Sequence, residues 1–276
     1  LLDPVTKTLF AIGNTANHAM KKEDLLIKAR DPKYISGIYN YCDRWCERCQ
    51  FTSRCLNCSL VEEQFGDLEA VDSFNEDFWK TFSGMLQNTL DLVREMVREE
   101  GIDIEKICAE EDTHQRKVPL PDIISHLSKK YATSVGEWFD SADNLFYEKE
   151  EELNRIQLVS SGHDPAGEAL KITDAVEIIR WYQFFISVKL KRACDRAADE
   201  AIDDDGFPKD SDGSAKIALI GIDRSIAAWK ILVTQLTAEK RKIISLIELL
   251  ENLKNRVENR FPHARSFKRP GFDDPI

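Results

Sequence analysis

Five of the seven cysteines in this 276-residue chain fall between positions 42 and 58. Cys42, Cys46, Cys49, Cys55 and Cys58 are spaced C-x3-C-x2-C-x5-C-x2-C in the stretch YCDRWCERCQFTSRCLNC. Thiolates are the usual ligands of structural zinc and of iron–sulfur clusters, and a C-x2-C pair brings two sulfurs to one ion. Packing alone does not explain this density, so all five are candidate metal ligands. Zinc takes four tetrahedral ligands, which Cys46, Cys49, Cys55 and Cys58 supply, leaving Cys42 over. A [4Fe–4S] cluster also takes four thiolates, which Cys42, Cys46, Cys49 and Cys55 supply, leaving Cys58 over. The [4Fe–4S] cluster is the first expectation and Zn2+ the alternative. Arg44, Arg48 and Arg54 interleave with the thiols. They either offset thiolate charge or are ordinary exposed side chains.

The run CERCQFTSRC, with its C-x2-C-x5-C spacing, resembles the segment that closes the iron–sulfur loop of endonuclease-III-like DNA glycosylases. The resemblance covers fewer than twenty residues and implies a cluster held by Cys46, Cys49 and Cys55. That family carries a fourth ligand seven residues upstream of the run; the matching position here is Tyr39, and Cys42 is the candidate instead. The resemblance bears on the metal and not on an activity, since no Gly-rich helix-hairpin-helix turn accompanies it. The first three cysteines also match the C-x3-C-x2-C of radical SAM enzymes. That motif follows the first strand of a β/α barrel, and alternating strands are absent from this sequence.

Cations form a second group. Lys189, Arg192 and Arg196 fall inside the apolar arc of a helical segment over 174–201. Lys149 falls inside the apolar stripe of the segment 121–153, and Arg224 lies between Ile217 and Ile231. Buried charge is costly unless paired, and the acids the sequence places near these faces are Glu152 and Asp174. The five are therefore candidate ligands of an anion held between helices. Against this, long cationic side chains reach water easily from helix ends, or pair with acids on another helix. Glu111 and His114 form a single E-x-x-H, half of what a di-iron bundle uses. Cys108 and Cys194 stand alone, as buried inert thiols do. The loop DDDGFPKDSDGS misses the EF-hand positions.

The elements that must position these groups are helical. Apolar residues recur at i, i+3, i+4 and i+7, and period-2 strands are absent. Short helices are expected over 22–30, ended by Asp31-Pro32, over 32–49, and from Cys55 to Gly66. In the second, Cys42, Cys46 and Cys49 would share one face. Longer segments follow over 73–100, 121–153, 174–201 and 214–261. Pro121 suits a first turn, Thr173 or Asp174 an N-cap. The last segment would span ~70 Å unbroken, so a bend is expected near Leu236–Ala238. The fold class is all-α: an antiparallel bundle of about four long helices with an N-terminal cysteine-rich helical module. The expected divisions are 1–66 for the metal-binding module, 67–262 for the bundle and 263–276 for an extended tail.

With 38 Lys and Arg against 49 Asp and Glu, net charge is −11, which disfavours broad binding to nucleic acid or anionic lipid. No apolar run reaches the ~18–20 residues of a membrane span, and the first residues lack the features of a signal peptide. An odd cysteine count then points to a reducing, cytoplasmic setting. The leading expectation is a metal-binding helical protein whose thiolate site is structural and which binds a protein or small-molecule partner. The alternatives are a [4Fe–4S] redox protein and a non-redox enzyme with an anion pocket in the bundle.

Overall fold

The computed structural model describes residues 22–65, 76–102, 122–159, 164–200 and 209–273. All regular structure among the described residues is helical. The α-helices are α1 (Lys22–Ala29), α2 (Leu56–Phe65), α3 (Glu76–Glu99), α4 (Ile123–Val159), α5 (Pro165–Glu200), α6 (Asp210–Gln235) and α7 (Lys240–Arg260). No helix among the described residues is long and apolar enough to cross a membrane. Contacts divide the chain into two units: residues 37–45 with 117–276, and residues 1–36 with 46–116.

In the larger unit, helix starts follow from local caps. The Asp122 carboxylate accepts the Ile124 N–H at 3.0 Å ahead of α4, and Asp164 accepts the Gly167 N–H at 2.9 Å ahead of α5. Pro165 then occupies the first helical position, where its missing N–H costs nothing. Thr173 and Asp174, the caps expected from sequence, lie inside α5, because Asp164-Pro165 starts the helix earlier. The break expected near Leu236–Ala238 is present: α6 ends at Gln235, a 3₁₀ turn covers Thr237–Glu239, and α7 follows.

α4 packs on α5 and α7, and α6 packs on α5 and α7. The α4–α5 pair runs in opposite directions, since Gln183 Nε2 donates to the Ala132 carbonyl at 2.7 Å while Ser128 meets Ser187 at 3.3 Å. The α5–α6 pair is likewise opposed, with Tyr182 beside Arg224 and Arg192 beside Asp210. Gly221 permits a close approach there: a Cβ on it would lie 2.8 Å from Tyr182 Cδ1. The core holds Tyr131, Ile179, Tyr182, Ile186, Leu190, Leu219, Trp229 and Leu232, all fully buried. Trp229 Nε1–H donates to the Tyr131 hydroxyl at 3.0 Å and meets Trp138 edge-on with centroids 4.9 Å apart.

Residues 261–273 fold against α6 through a 3₁₀ turn at Ala264–Ser266. Arg265 bridges Asp223 at 2.6 Å and Glu258 at 2.8 Å. Lys216 of α6 holds Asp273 at 2.8 Å, and Arg269 holds the same carboxylate at 2.9 Å. The Arg269 hydrogen bonds, followed by that from Lys216, keep the Asp273 carboxyl far below the ordinary range, against the opposing effect of burial. A depressed acid stabilises above its unfolded pKa of about 3.9, and this contribution fades as pH falls from there toward the folded value. Acid-protease cleavage within 267–273 should therefore stay slow at pH 5 and rise below about pH 4. Asp273→Asn should be cut readily at both pH values; equal resistance in the variant would remove the carboxylate's role.

The smaller unit is built around α2. Tyr34 O–H donates to Ser59 Oγ at 2.9 Å, Ile35 N–H to the Arg54 carbonyl at 3.0 Å, and Lys28 pairs with Glu63. α2 packs on the 3₁₀ turn Thr52–Arg54 and on α3. α3, expected as a bundle helix, belongs to this unit, and its Leu86, Leu90, Val93 and Met96 are exposed.

The helix expected over 32–49 does not form. Short 3₁₀ turns occupy Ile38–Tyr41 and Cys46–Arg48, Cys42 is extended, and Gly37 and Arg44 have φ of 72° and 62°. Left-handed backbone at Arg44 costs about 1–2 kcal/mol, and both its neighbours are firmly held, as described next.

Candidate metal centre

Four thiols are brought together within the smaller unit. Cys46 opens a tight turn closed by the Cys49 N–H on the Cys46 carbonyl at 3.1 Å. The Phe51 N–H then donates to Cys49 Sγ at 3.4 Å. Cys55 follows the next 3₁₀ turn, and its carbonyl accepts the Ser59 N–H at 3.1 Å, so it stands at the start of α2 with Cys58 in the first turn. Cys58 is 3% exposed. Burial pushes its thiol pKa up, Glu62, Cys55 and Cys49 push it further, and a hydrogen bond with Cys46 opposes them. Cys58 is thus where the other three sulfurs are felt. None of the four is in a disulfide. Among the described residues no three His, Cys, Asp or Glu side chains already enclose a point fit for an ion, so the sulfurs are gathered without being closed. The donor set fits zinc or an iron–sulfur cluster, both of which draw thiolates in on binding.

Cys42 lies in the larger unit. Its Sγ donates to the Tyr39 carbonyl at 3.6 Å, and the same group, once ionised, would raise the pKa of Lys189 of α5. The shared helical face proposed for Cys42, Cys46 and Cys49 does not exist, because the chain between them forms no α-helix, only a 3₁₀ turn at Cys46–Arg48.

Residues 41–45 are anchored on α5 and α6. The Asp43 carboxylate accepts Arg224 Nη1 and the Tyr182 hydroxyl, each at 2.6 Å, and the Asp43 carbonyl accepts Trp181 Nε1–H at 3.0 Å. Trp45 stacks on Trp181 with centroids 4.9 Å apart and planes 14° from parallel. Tyr41 donates to Asp210 at 2.9 Å and packs edge-on to Phe267. The residue immediately before Cys46 is therefore fixed by aromatic stacking. Asp43→Ala should cost about 1 kcal/mol in chemical denaturation, a modest value because Arg224 is 53% exposed and the ion pair is screened. A loss within error would show that the Trp45 stack alone secures this segment.

These contacts also account for the cations. Arg224 is neutralised by Asp43, and Arg192 grips Asp210 through two nitrogens at 3.0 and 2.8 Å. Arg196 stands 3.6 Å from the same carboxylate, and Lys149 pairs with Glu152 at 3.2 Å. Burial pushes the Asp210 carboxyl up, but Arg192, Tyr41 and Arg196 together hold it below its usual range. Lys189 lies over the Phe185 ring, and burial, then Arg192 and Arg44, lower its pKa. The structure brings Lys189 and Arg192 together and sets Lys149 apart with its own acid. Asp43 and Asp210 are the acids that sequence reasoning missed. Asp43 sits one turn before a proposed ligand, and Asp210 at the edge of an apolar run, so neither carried a periodic signal.

Cys194 is buried, and burial, then Asp122, push its thiol up to about 12, which suits an inert thiol. Cys108, Glu111 and His114 lie outside the described residues. Comparison of the chain with protein-family models, with curated proteins and with solved structures returned no match.

Proposed function

We propose that this chain binds one zinc ion through Cys46, Cys49, Cys55 and Cys58, that the ion has a structural role, and that the protein acts by binding a partner. The observation that carries this reading is the meeting of three sulfurs at Cys58. It favours the ligand set of two C-x2-C pairs over the set that needs Cys42. The ion would tie the turn at Cys46–Cys49 to the start of α2, joining segments too short to bury a core of their own. The architecture that goes with this reading is an antiparallel four-helix bundle of α4–α7 and a cysteine-rich helical module. Pairing of Arg192, Arg196, Arg224 and Lys149 with acids gives those cations a structural role and weighs against the anion pocket.

The test is metal and sulfide analysis of protein purified without oxygen, with a visible spectrum. The expected result is about one zinc per chain and no colour. About four irons with four sulfides and a brown colour would replace this reading with the redox one. Protein with no bound metal would overturn both.

A further inference from the structure

We infer that the apolar face of α3 is an interface with a second copy of this chain, in which the two α3 helices pack side by side and run in the same direction. Four apolar side chains on α3 stay about half exposed: Leu86 at 48%, Leu90 at 51%, Val93 at 48% and Met96 at 47%. Leu92 and Val97 are partly exposed beside them. Leu86, Leu90, Val93 and Val97 recur at i, i+4, i+7 and i+11, and Leu92 and Met96 widen the stripe on one side. Together they cover about 160° of the circumference, the kind of face a helix turns toward a core. Single apolar residues on a surface are ordinary, but a contiguous stripe marks an interface. The main neighbour of α3 among the described elements is α2, and that contact leaves the stripe exposed. The 24 residues of α3 give about three heptads, a length that can pair with another helix.

The charges beside the stripe select the occupant and its direction. Arg94 and Arg98 run along one edge, next to Leu90, and Glu95 and Glu99 run along the other, next to Leu92. One edge is basic and the other acidic. Asp91, on the far side of the helix, pairs with Arg94 at 3.1 Å, but both side chains are more than half exposed, so the bond is weak. When two copies of one helix pack in parallel, the two-fold axis sets the left edge of each against the right edge of the other. Each basic edge then meets an acidic one. An antiparallel pair would set basic against basic and acidic against acidic. Arg94 and Arg98 lie within one turn of Glu95 and Glu99, so an unstaggered pair brings the opposite charges level. The same surface complements itself twice, as a closed two-fold dimer requires. A partner charged with one sign along both flanks would be attracted at one edge and repelled at the other.

The test is sedimentation equilibrium of the full chain. A particle of twice the 31.6 kDa chain mass is expected. Leu90→Glu together with Val93→Glu should give the single-chain mass, with circular dichroism and zinc content unchanged. Arg94→Glu together with Arg98→Glu makes both edges acidic and should weaken the dimer about tenfold. Adding Glu95→Arg and Glu99→Arg to that variant restores one edge of each sign and should return the original dimer strength. A single-chain mass for the unaltered protein at about 100 μM would assign the stripe to another part of this chain or to a different protein and overturns the interface. It is overturned equally by a dimer that survives the paired Leu90 and Val93 changes, by unchanged strength in the Arg94 and Arg98 variant, or by no recovery in the four-charge variant. The interface does not depend on the thiolate site, and zinc content is read separately from mass on the same samples, so the two fail separately.

Discussion

Trp229→Ala should destabilise the larger unit by about 3–5 kcal/mol, the range for deleting a buried aromatic ring. Trp229 is fully buried on α6, meets Trp138 and Phe139 of α4, and donates its Nε1–H to Tyr131. The alanine variant leaves a cavity between α4 and α6 and strips the Tyr131 hydroxyl of its indole donor. Tyr131 is already pushed up to about 12 by burial, with the bond from Trp229 acting in the opposite direction. Melting followed by far-ultraviolet circular dichroism should fall by roughly 10 °C for an array of this size. Trp229→Phe keeps most of the apolar volume and should cost about 1–2 kcal/mol, chiefly the lost hydrogen bond. If alanine and phenylalanine cost the same, the hydrogen bond rather than the ring would be the source of stability, and the packing account would be wrong.

Replacement of any one of Cys46, Cys49, Cys55 or Cys58 by serine should empty the proposed zinc site, whereas Cys42→Ser should retain one zinc per chain. Structural zinc sites bind with apparent free energies of about 10–16 kcal/mol, so a lost ligand has a far larger effect than any single contact in the smaller unit. Protease cleavage should appear between positions 46 and 65 in the ligand variants, and the melt of α4–α7 should persist. Cys58→Ser is the most informative change, because the zinc set requires it and the alternative iron–sulfur set does not. Full metal content in that variant, or its loss in Cys42→Ser, would transfer the assignment to the set that includes Cys42.

Much of the helical fold was legible because each long helix carries its own periodic stripe and its own stops. The break after Gln235 was foreseeable from length alone, since an unbroken helix over 214–261 would outrun its neighbours. The start of α5 was not, because an Asp-Pro cap outranks Thr173 and Asp174 by geometry that periodicity does not encode. The segment 32–49 was misread for a related reason. Its apolar residues obey the helical spacing, but Tyr41 and Trp45 are drawn to α5, α6 and the C-terminal segment, and that tertiary attraction exceeds a weak local preference.

By itself the sequence determined that the described part of this chain is helical, that the chain is acidic, and that five of its seven cysteines concentrate between positions 42 and 58. Those properties reside in residue types and short spacings, which act before any long-range contact forms. Tertiary structure decided which sulfurs share a neighbourhood and which acids neutralise Arg192 and Arg224. Each of these joins residues distant along the chain. Tyr182 and Asp43 stand 139 positions apart, and no local pattern specifies such a meeting. It follows from packing amphipathic helices around one core, where burial of apolar faces fixes the register and the polar groups pair with whatever that register brings alongside.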